Sequence, residues 1–224
     1  MRTGRRRLAA IAALLALGLL GLWLVRPPPD DRPVAPQDLP WQIEVLEDGS
    51  SRVLGIHLGE AALRDVIARF GAPDGVALFL GERRLSLEAY FSSVRLGRLE
   101  GRLVVKLALA DDEVEGLMQR AVGAEPATGG GRRLQLGAAD KAATAPRRVV
   151  AMSFLPKYRG LDAAFFRERL GEPPAWQSAD PSEVRWLYPR LGLSLLLTAG
   201  SGAALEYQPP RDFILPDDAE GPGR

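Results

Sequence analysis

Hydrophobic positions in this chain recur at two periods, and the switch between them marks out its elements. Two stretches carry a helical pattern closed by the same stop: Leu63-Arg64-Asp65-Val66-Ile67-Ala68-Arg69-Phe70-Gly71-Ala72-Pro73, and Ala163-Ala164-Phe165-Phe166-Arg167-Glu168-Arg169-Leu170-Gly171-Glu172-Pro173. In each, glycine can take the positive φ that closes a helix, and proline two residues on prevents resumption. Leu58 can staple onto Leu63, and Leu161 onto Phe166. Helices are therefore expected over residues 60–70 and 162–170. A short apolar strand precedes each: Val53-Leu54-Gly55-Ile56-His57-Leu58 and Val149-Val150-Ala151-Met152-Ser153-Phe154.

After each stop the period falls to two, the signature of half-buried strands. Val76/Leu78/Leu80, Leu85/Leu87/Ala89/Phe91 and Leu103/Val105/Leu107/Leu109 form one apolar face. Val184/Trp186/Tyr188, Leu193/Leu195/Leu197 and Leu205/Tyr207 form another, with Pro189-Arg190-Leu191-Gly192 and Ala199-Gly200-Ser201-Gly202 as turns. The strand, helix and meander thus occur twice in order. The fold class this implies is α+β: two tandem modules, each a helix packed on a mainly antiparallel three- to four-stranded sheet, preceded by one transmembrane helix. The modules span residues 41–110 and 148–208. Between them, residues 111–147 hold a helix opened by Asp112-Glu113-Val114-Glu115, with Val114, Leu117, Met118 and Ala121 on its buried side. A flexible Gly129-Gly130-Gly131 loop, a strand from Arg133 to Leu136 and a short helix from Ala138 to Thr144 follow.

The first 25 residues follow a third pattern. Arg2, Arg5, Arg6 and Arg7 precede a run of 18 uncharged residues that opens at Leu8 and closes at Val25. At about 1.5 Å per helical residue it reaches roughly 27 Å, against a bilayer core of about 30 Å. The run is longer than a signal-peptide core, Leu22-Trp23-Leu24-Val25 offers no A-x-A cleavage pattern, and Trp23 suits a membrane interface. An uncleaved anchor is favoured over a cleaved signal. The basic flank keeps the N-terminus in the cytoplasm. The expected location is the bacterial inner membrane, single-pass through Leu8 to Val25, with the C-terminal part periplasmic. Residues 26–40, with six prolines, make a stalk; residues 209–224 read as a disordered tail.

Composition narrows the chemistry. The absence of cysteine removes a disulfide framework, a thiolate metal site, a cysteine nucleophile and a lipid-modified cysteine. Of 29 basic residues, four lie ahead of the anchor, leaving 25 against 28 acidic, a net −3 for the rest. That charge is the opposite of a nucleic-acid footprint, so no nucleic-acid partner is expected.

No catalytic, cofactor-binding or metal set emerges, and no cofactor is expected. His57, the lone histidine, shares a strand face with Val53 and Gly55; a Ser-His-Asp role is formally open but no G-x-S-x-G elbow accompanies it. Glu88, flanked on its face by Ser86 and Tyr90, has no paired carboxylate motif of the kind glycoside hydrolysis uses. Asp111-Asp112-Glu113 and Asp217-Asp218 lack the glycine-centred loop of a calcium site. Trp186, Tyr188 and Tyr207 read as cross-strand core, and Trp176, in the loop after Pro173-Pro174, as the partner-contact candidate.

Gly171-Glu172-Pro173 followed by Trp186-Leu187-Tyr188-Pro189, within Leu161 to Tyr207, resembles the small outer-membrane assembly lipoproteins of SmpA/OmlA (BamE-like) type, duplicated here on an anchor. The resemblance implies a non-enzymatic module facing the cell envelope. The chain departs from that family in lacking the lipidation cysteine and in carrying two modules. The function expected is a non-catalytic, membrane-anchored periplasmic binding or assembly accessory protein whose partners are other envelope proteins. The alternatives are an inhibitor or sensor of another envelope protein, or an envelope hydrolase using carboxylates.

Overall fold

The period-two segments do become strands, but they join into one sheet. The structure, a computed structural model, describes residues 38–81, 85–127, 131–158, 160–180, 182–200 and 202–221. In chain order the strands are β1 (Glu44–Val45), β2 (Ser51–Val53), β3 (Ile56–Leu58), β4 (Gly75–Leu80), β5 (Leu85–Leu96), β6 (Leu99–Leu107), β7 (Gly123–Pro126), β8 (Arg132–Gln135), β9 (Val149–Pro156), β10 (Ala175–Asp180), β11 (Glu183–Tyr188), β12 (Leu193–Thr198) and β13 (Gly202–Tyr207). The helices are α1 (Leu63–Phe70), α2 (Asp111–Gln119), α3 (Ala138–Ala142) and α4 (Ala163–Leu170). Strands β1-β2-β3 form a small sheet; the other ten form an antiparallel sheet ordered β10-β11-β12-β13-β9-β6-β5-β4-β8-β7.

This corrects the expectation of an α+β pair of tandem helix-on-sheet modules. Strand β9 pairs with β6 of the first half on one edge and β13 of the second on the other. Two separate meanders would each leave an unpaired edge there, and merging them satisfies those backbone groups. The described residues all fall in one compact unit, Val34–Arg224.

The equivalence of the opening strands also fails. Val149–Pro156 is central in the large sheet, whereas Val53 to Leu58 folds back on itself as the β2–β3 hairpin. Its two-residue turn, Leu54-Gly55, has φ of 53° and 73°, the type I′ pattern. Leucine at positive φ costs about 1–2 kcal/mol, but full burial of its side chain returns about 1.5–3 kcal/mol.

Among the described residues no helix is long and apolar enough to cross a membrane. The longest, α2, has nine residues, about 14 Å against a bilayer core of about 30 Å. The transmembrane helix, the signal anchor and the single-pass inner-membrane, periplasmic location expected above are therefore not supported; the run from residue 8 to 25 lies outside the described residues.

Register fixes the core. Phe91, Leu103, Phe154, Leu205, Leu195, Trp186 and Trp176 stand in one cross-strand row over seven strands. An extra residue between Phe91 and Val94 bulges β5, so that both still face inward. The buried side chains of the helices, Leu63, Val66, Leu117 and Phe166, join this same core. Met118, expected inside, is 44% exposed.

Helix ends follow the sequence logic. The Asp162 carboxylate accepts from the Phe165 amide at 2.9 Å, and Asp65 accepts from the Ala62 amide at 2.8 Å. Gly71 and Gly171 have φ of 87° and 79° with ψ near 180°, an extended rather than left-handed-helical stop that is open essentially to glycine alone. The Tyr188 hydroxyl donates to the Gly171 carbonyl at 3.0 Å, and burial raises its pKa to about 12.

The described tail residues are tied down. Trp176 and Glu220 exchange both backbone hydrogen bonds at 2.8 Å, and Ala219 and Phe213 pack on Ala175 and Leu187. At the other end of the chain, Trp41 meets Phe165 edge-on at 4.7 Å, and the Tyr207 hydroxyl donates to the Pro40 carbonyl at 2.8 Å.

Two outcomes follow for stability. A Cβ on Gly101 would lie 2.5 Å from the Phe154 ring and 2.7 Å from the Leu155 carbonyl oxygen, so Gly101→Val should lower urea-unfolding stability by about 1–3 kcal/mol; adding Phe154→Leu should restore part of that loss. Glu113 meets Arg147 through two hydrogen bonds of 2.7 and 2.8 Å. The Arg147 guanidinium, aided by the Ala110 amide, holds the Glu113 carboxyl down at about 2. A depressed folded pKa makes this contribution complete above the unfolded value near 4.5, and it is lost as pH falls toward 2. With Glu113 40% exposed, Glu113→Gln should cost less than about 1 kcal/mol at neutral pH, and the difference in melting temperature should vanish at about pH 2.

Candidate functional site

The lone histidine, a serine and an aspartate do converge. His57 on β3 places Nε2 2.7 Å from Ser50 Oγ, and Ser50 Oγ lies 2.5 Å from Asp48 Oδ1, which also accepts from the Ser50 amide at 2.9 Å. Arg211 holds the other carboxylate oxygen at 3.1 Å. The Ser50 hydroxyl first, then its amide and Arg211, keep Asp48 below the usual carboxylate range and hence ionised. The serine therefore gives its single proton to Asp48, and His57 Nε2 must donate to Oγ rather than accept from it. Nucleophilic catalysis needs the reverse: serine donating to a histidine that the aspartate orients. Ser50 is also fully buried. The trio ties the turn after β1, the β2–β3 hairpin and the Arg211 turn together. The hairpin is also why His57 does not continue the strand face of Val53 and Gly55.

The other face of the large sheet is a different surface. Gly75, Tyr90, Val104, Ser153, Glu206, Ser194, Leu187 and Ala175 stand in one cross-strand row on it. From Tyr90 to Ser194 these positions are half-buried, although their strands are central. The tail covers only the Leu187–Ala175 end. Arg185 pairs with Glu206 at 2.6 Å on this face.

Glu88 lies at the opposite end of the same face. It accepts from Ser86 at 2.7 Å and lines a cavity of about 260 Å³. Phe79, Tyr90 and Val104 supply its apolar surface, and Glu125, Pro126 and Arg133 wall it. The β7–β8 hairpin brings in the last three by pairing β8 with β4. The sequence pattern announces a strand from Arg133 to Leu136 but not the pairing that turns it into a cavity wall. The one signal was alternation: Phe79 and Tyr90 fall on the non-core parity of their strands.

Trp176, the contact candidate, sits in β10 rather than in a loop. Its neighbour across the strands is Trp186, and its indole N–H donates to Glu220 at 3.1 Å. Arg167 lies 4.8 Å over the Trp186 ring. Asp111, Asp112 and Glu113 occupy the first turn of α2, where negative charge complements the helix dipole. Among the described residues no three His, Cys, Asp or Glu side chains group to hold a metal.

No family model, curated protein or solved structure matches this chain. Removing the buried serine hydroxyl should lower stability. Ser50→Ala leaves His57 Nε2 without its partner and removes one of the hydrogen bonds to Asp48, and should lower the unfolding free energy by about 1–2 kcal/mol, read by thermal and urea denaturation.

Proposed function

We propose that this protein is a non-catalytic binding protein whose open sheet face seats another protein, as an assembly accessory or partner-recognition module does. One observation carries the reading: every buried helical side chain among the described residues belongs to one face of the ten-stranded sheet, leaving the other open from β4 to β12. A solvated antiparallel face is ordinarily polar. This one places Phe79, Tyr90, Val104, Leu155 and Leu196 among Arg102, Lys106, Arg185 and Glu206, the mixture of apolar anchors and polar rim that protein interfaces use. Antiparallel pairing across central strands also makes it a stiff platform, so little ordering is needed on association. The Asp48–Ser50–His57 network, wired for structure, supports the absence of catalysis in this reading. The motif likeness to SmpA/OmlA-type modules points to the same class of role.

Position-specific photocrosslinking tests it. A crosslinker at Val104 or Ser153 should capture the same partner from cells, whereas one at Asp112 or Glu115, on α2, should not. Ser153→Arg should abolish capture at Val104 without shifting the melting temperature. Equal capture from both groups of positions, or capture unaffected by Ser153→Arg, would refute the reading.

A further inference from the structure

The cavity at the Phe79–Tyr90 end holds two opposite charges that the protein matches incompletely: Arg133 has only a 3.9 Å ion pair with Glu125, and Glu88 has no ion pair among the described residues. The Arg133 side chain leaves β8 and ends beside Gly75, where a Cβ would lie 3.3 Å from its Nη2. Gly75 is the ladder partner of Tyr90, and Glu88 stands two residues from Tyr90 on the same face. Arg133 Nε is buried without a hydrogen-bond partner. The nearest carboxylate, Glu125, lies at 3.9 Å from Arg133 Nη1, and its other oxygen is engaged by Gln135. Glu88 accepts only the Ser86 hydroxyl and, among the described residues, makes no ion pair; Lys106, opposite it across the strands, does not reach it. The Tyr90 hydroxyl makes no hydrogen bond among the described residues. A larger cavity, about 560 Å³ beside the start of α4, contrasts with this one: its Ser178, Ser182 and Asp162 already have partners within the fold.

A buried guanidinium N–H without an acceptor is costly to leave so, and a carboxylate lining the same cavity without a cation completes a dipolar site. A single anion would satisfy Arg133 and be repelled by Glu88; a single cation would face the opposite problem. A ligand carrying both charges meets both. The cavity is slightly smaller than the roughly 300 Å³ at which drug-sized pockets begin, so the ligand is the size of one residue. We propose that this cavity binds a free α-amino acid with an apolar side chain. Its carboxylate lies on Arg133, its ammonium on Glu88, and its side chain against Phe79, Tyr90 and Val104. Occupancy also adds contacts to the β7–β8 hairpin, which holds Arg133, and so stabilises the sheet edge. The site needs no partner protein, and it stands whether or not the open face docks one.

Titration calorimetry of the full chain with L-phenylalanine, L-leucine and L-methionine, beside their N-acetyl and C-amide derivatives, tests the assignment. At least one free amino acid should bind at one site, and both blocked forms should bind about tenfold more weakly or worse. Arg133→Gln and Glu88→Gln, verified as folded by circular dichroism, should weaken the free amino acid similarly. Should either variant fail to fold, the blocked derivatives on the unaltered protein decide alone. Absence of heat with all three free amino acids at millimolar concentration, or equal binding of free and blocked forms, would overturn the proposal.

Discussion

Strand β9 is the element on which the rest of the structure depends. It is hydrogen-bonded on both edges, to β6 and β13, and it carries Phe154 and Met152 into the central rows of the core. Phe154 can lie there only because Gly101, two residues along β6 from its ladder partner Leu103, has no side chain. That close approach brings the two meanders to ordinary strand spacing and makes one core of them. An isolated helix on three short strands buries little surface, and joining the sheets raises the buried fraction for both.

Closing such a long sheet raises the problem of its ends. An unpaired edge is a template for association. At the β10 end, Trp176 exchanges backbone hydrogen bonds with Glu220, so the C-terminal segment serves as a further short strand. At the β7 end the edge strand is only four residues long and finishes at Pro126, which has no N–H to offer. The segments flanking the core are fastened by specific polar groups: Tyr207 to Pro40, Arg69 to Asp38, Arg211 to Asp48. These ties hold residues 38–43 and 209–212 in place, while Phe213 and Ala219 cover the Leu187–Ala175 end of the open face.

The two faces of the sheet therefore have different physical characters. One is apolar and buried, with Leu63, Val66, Leu117 and Phe166 of the helices packed into it. The other combines half-buried apolar groups with charges, some matched, such as Arg185 with Glu206, and some not, such as Glu88. At the Phe79–Tyr90 end of the second, Arg133 Nε lacks a hydrogen bond and shares a cavity with Glu88.

Local rules were legible in the sequence, and assembly was not. The alternation of Val76/Leu78, Leu103/Val105/Leu107, Leu193/Leu195/Leu197 and Trp186/Tyr188 determined which side chains face the core, because strand period depends only on the backbone. Gly71-Ala72-Pro73 and Gly171-Glu172-Pro173 determined where α1 and α4 end, because those conformations are closed to other residues. Pairing partners were decided only by tertiary structure. No local pattern says that β9 bridges β6 and β13, that β8 folds back onto β4, or that Leu54-Gly55 turns a single apolar run into a hairpin; each depends on burial gained against residues far away in the chain. For the same reason His57, Ser50 and Asp48 meet without forming a catalytic order, and Arg133 and Glu88 come to share a cavity although 45 residues separate them. Composition supplied those groups; the register of the sheet decided which of them would share a cavity.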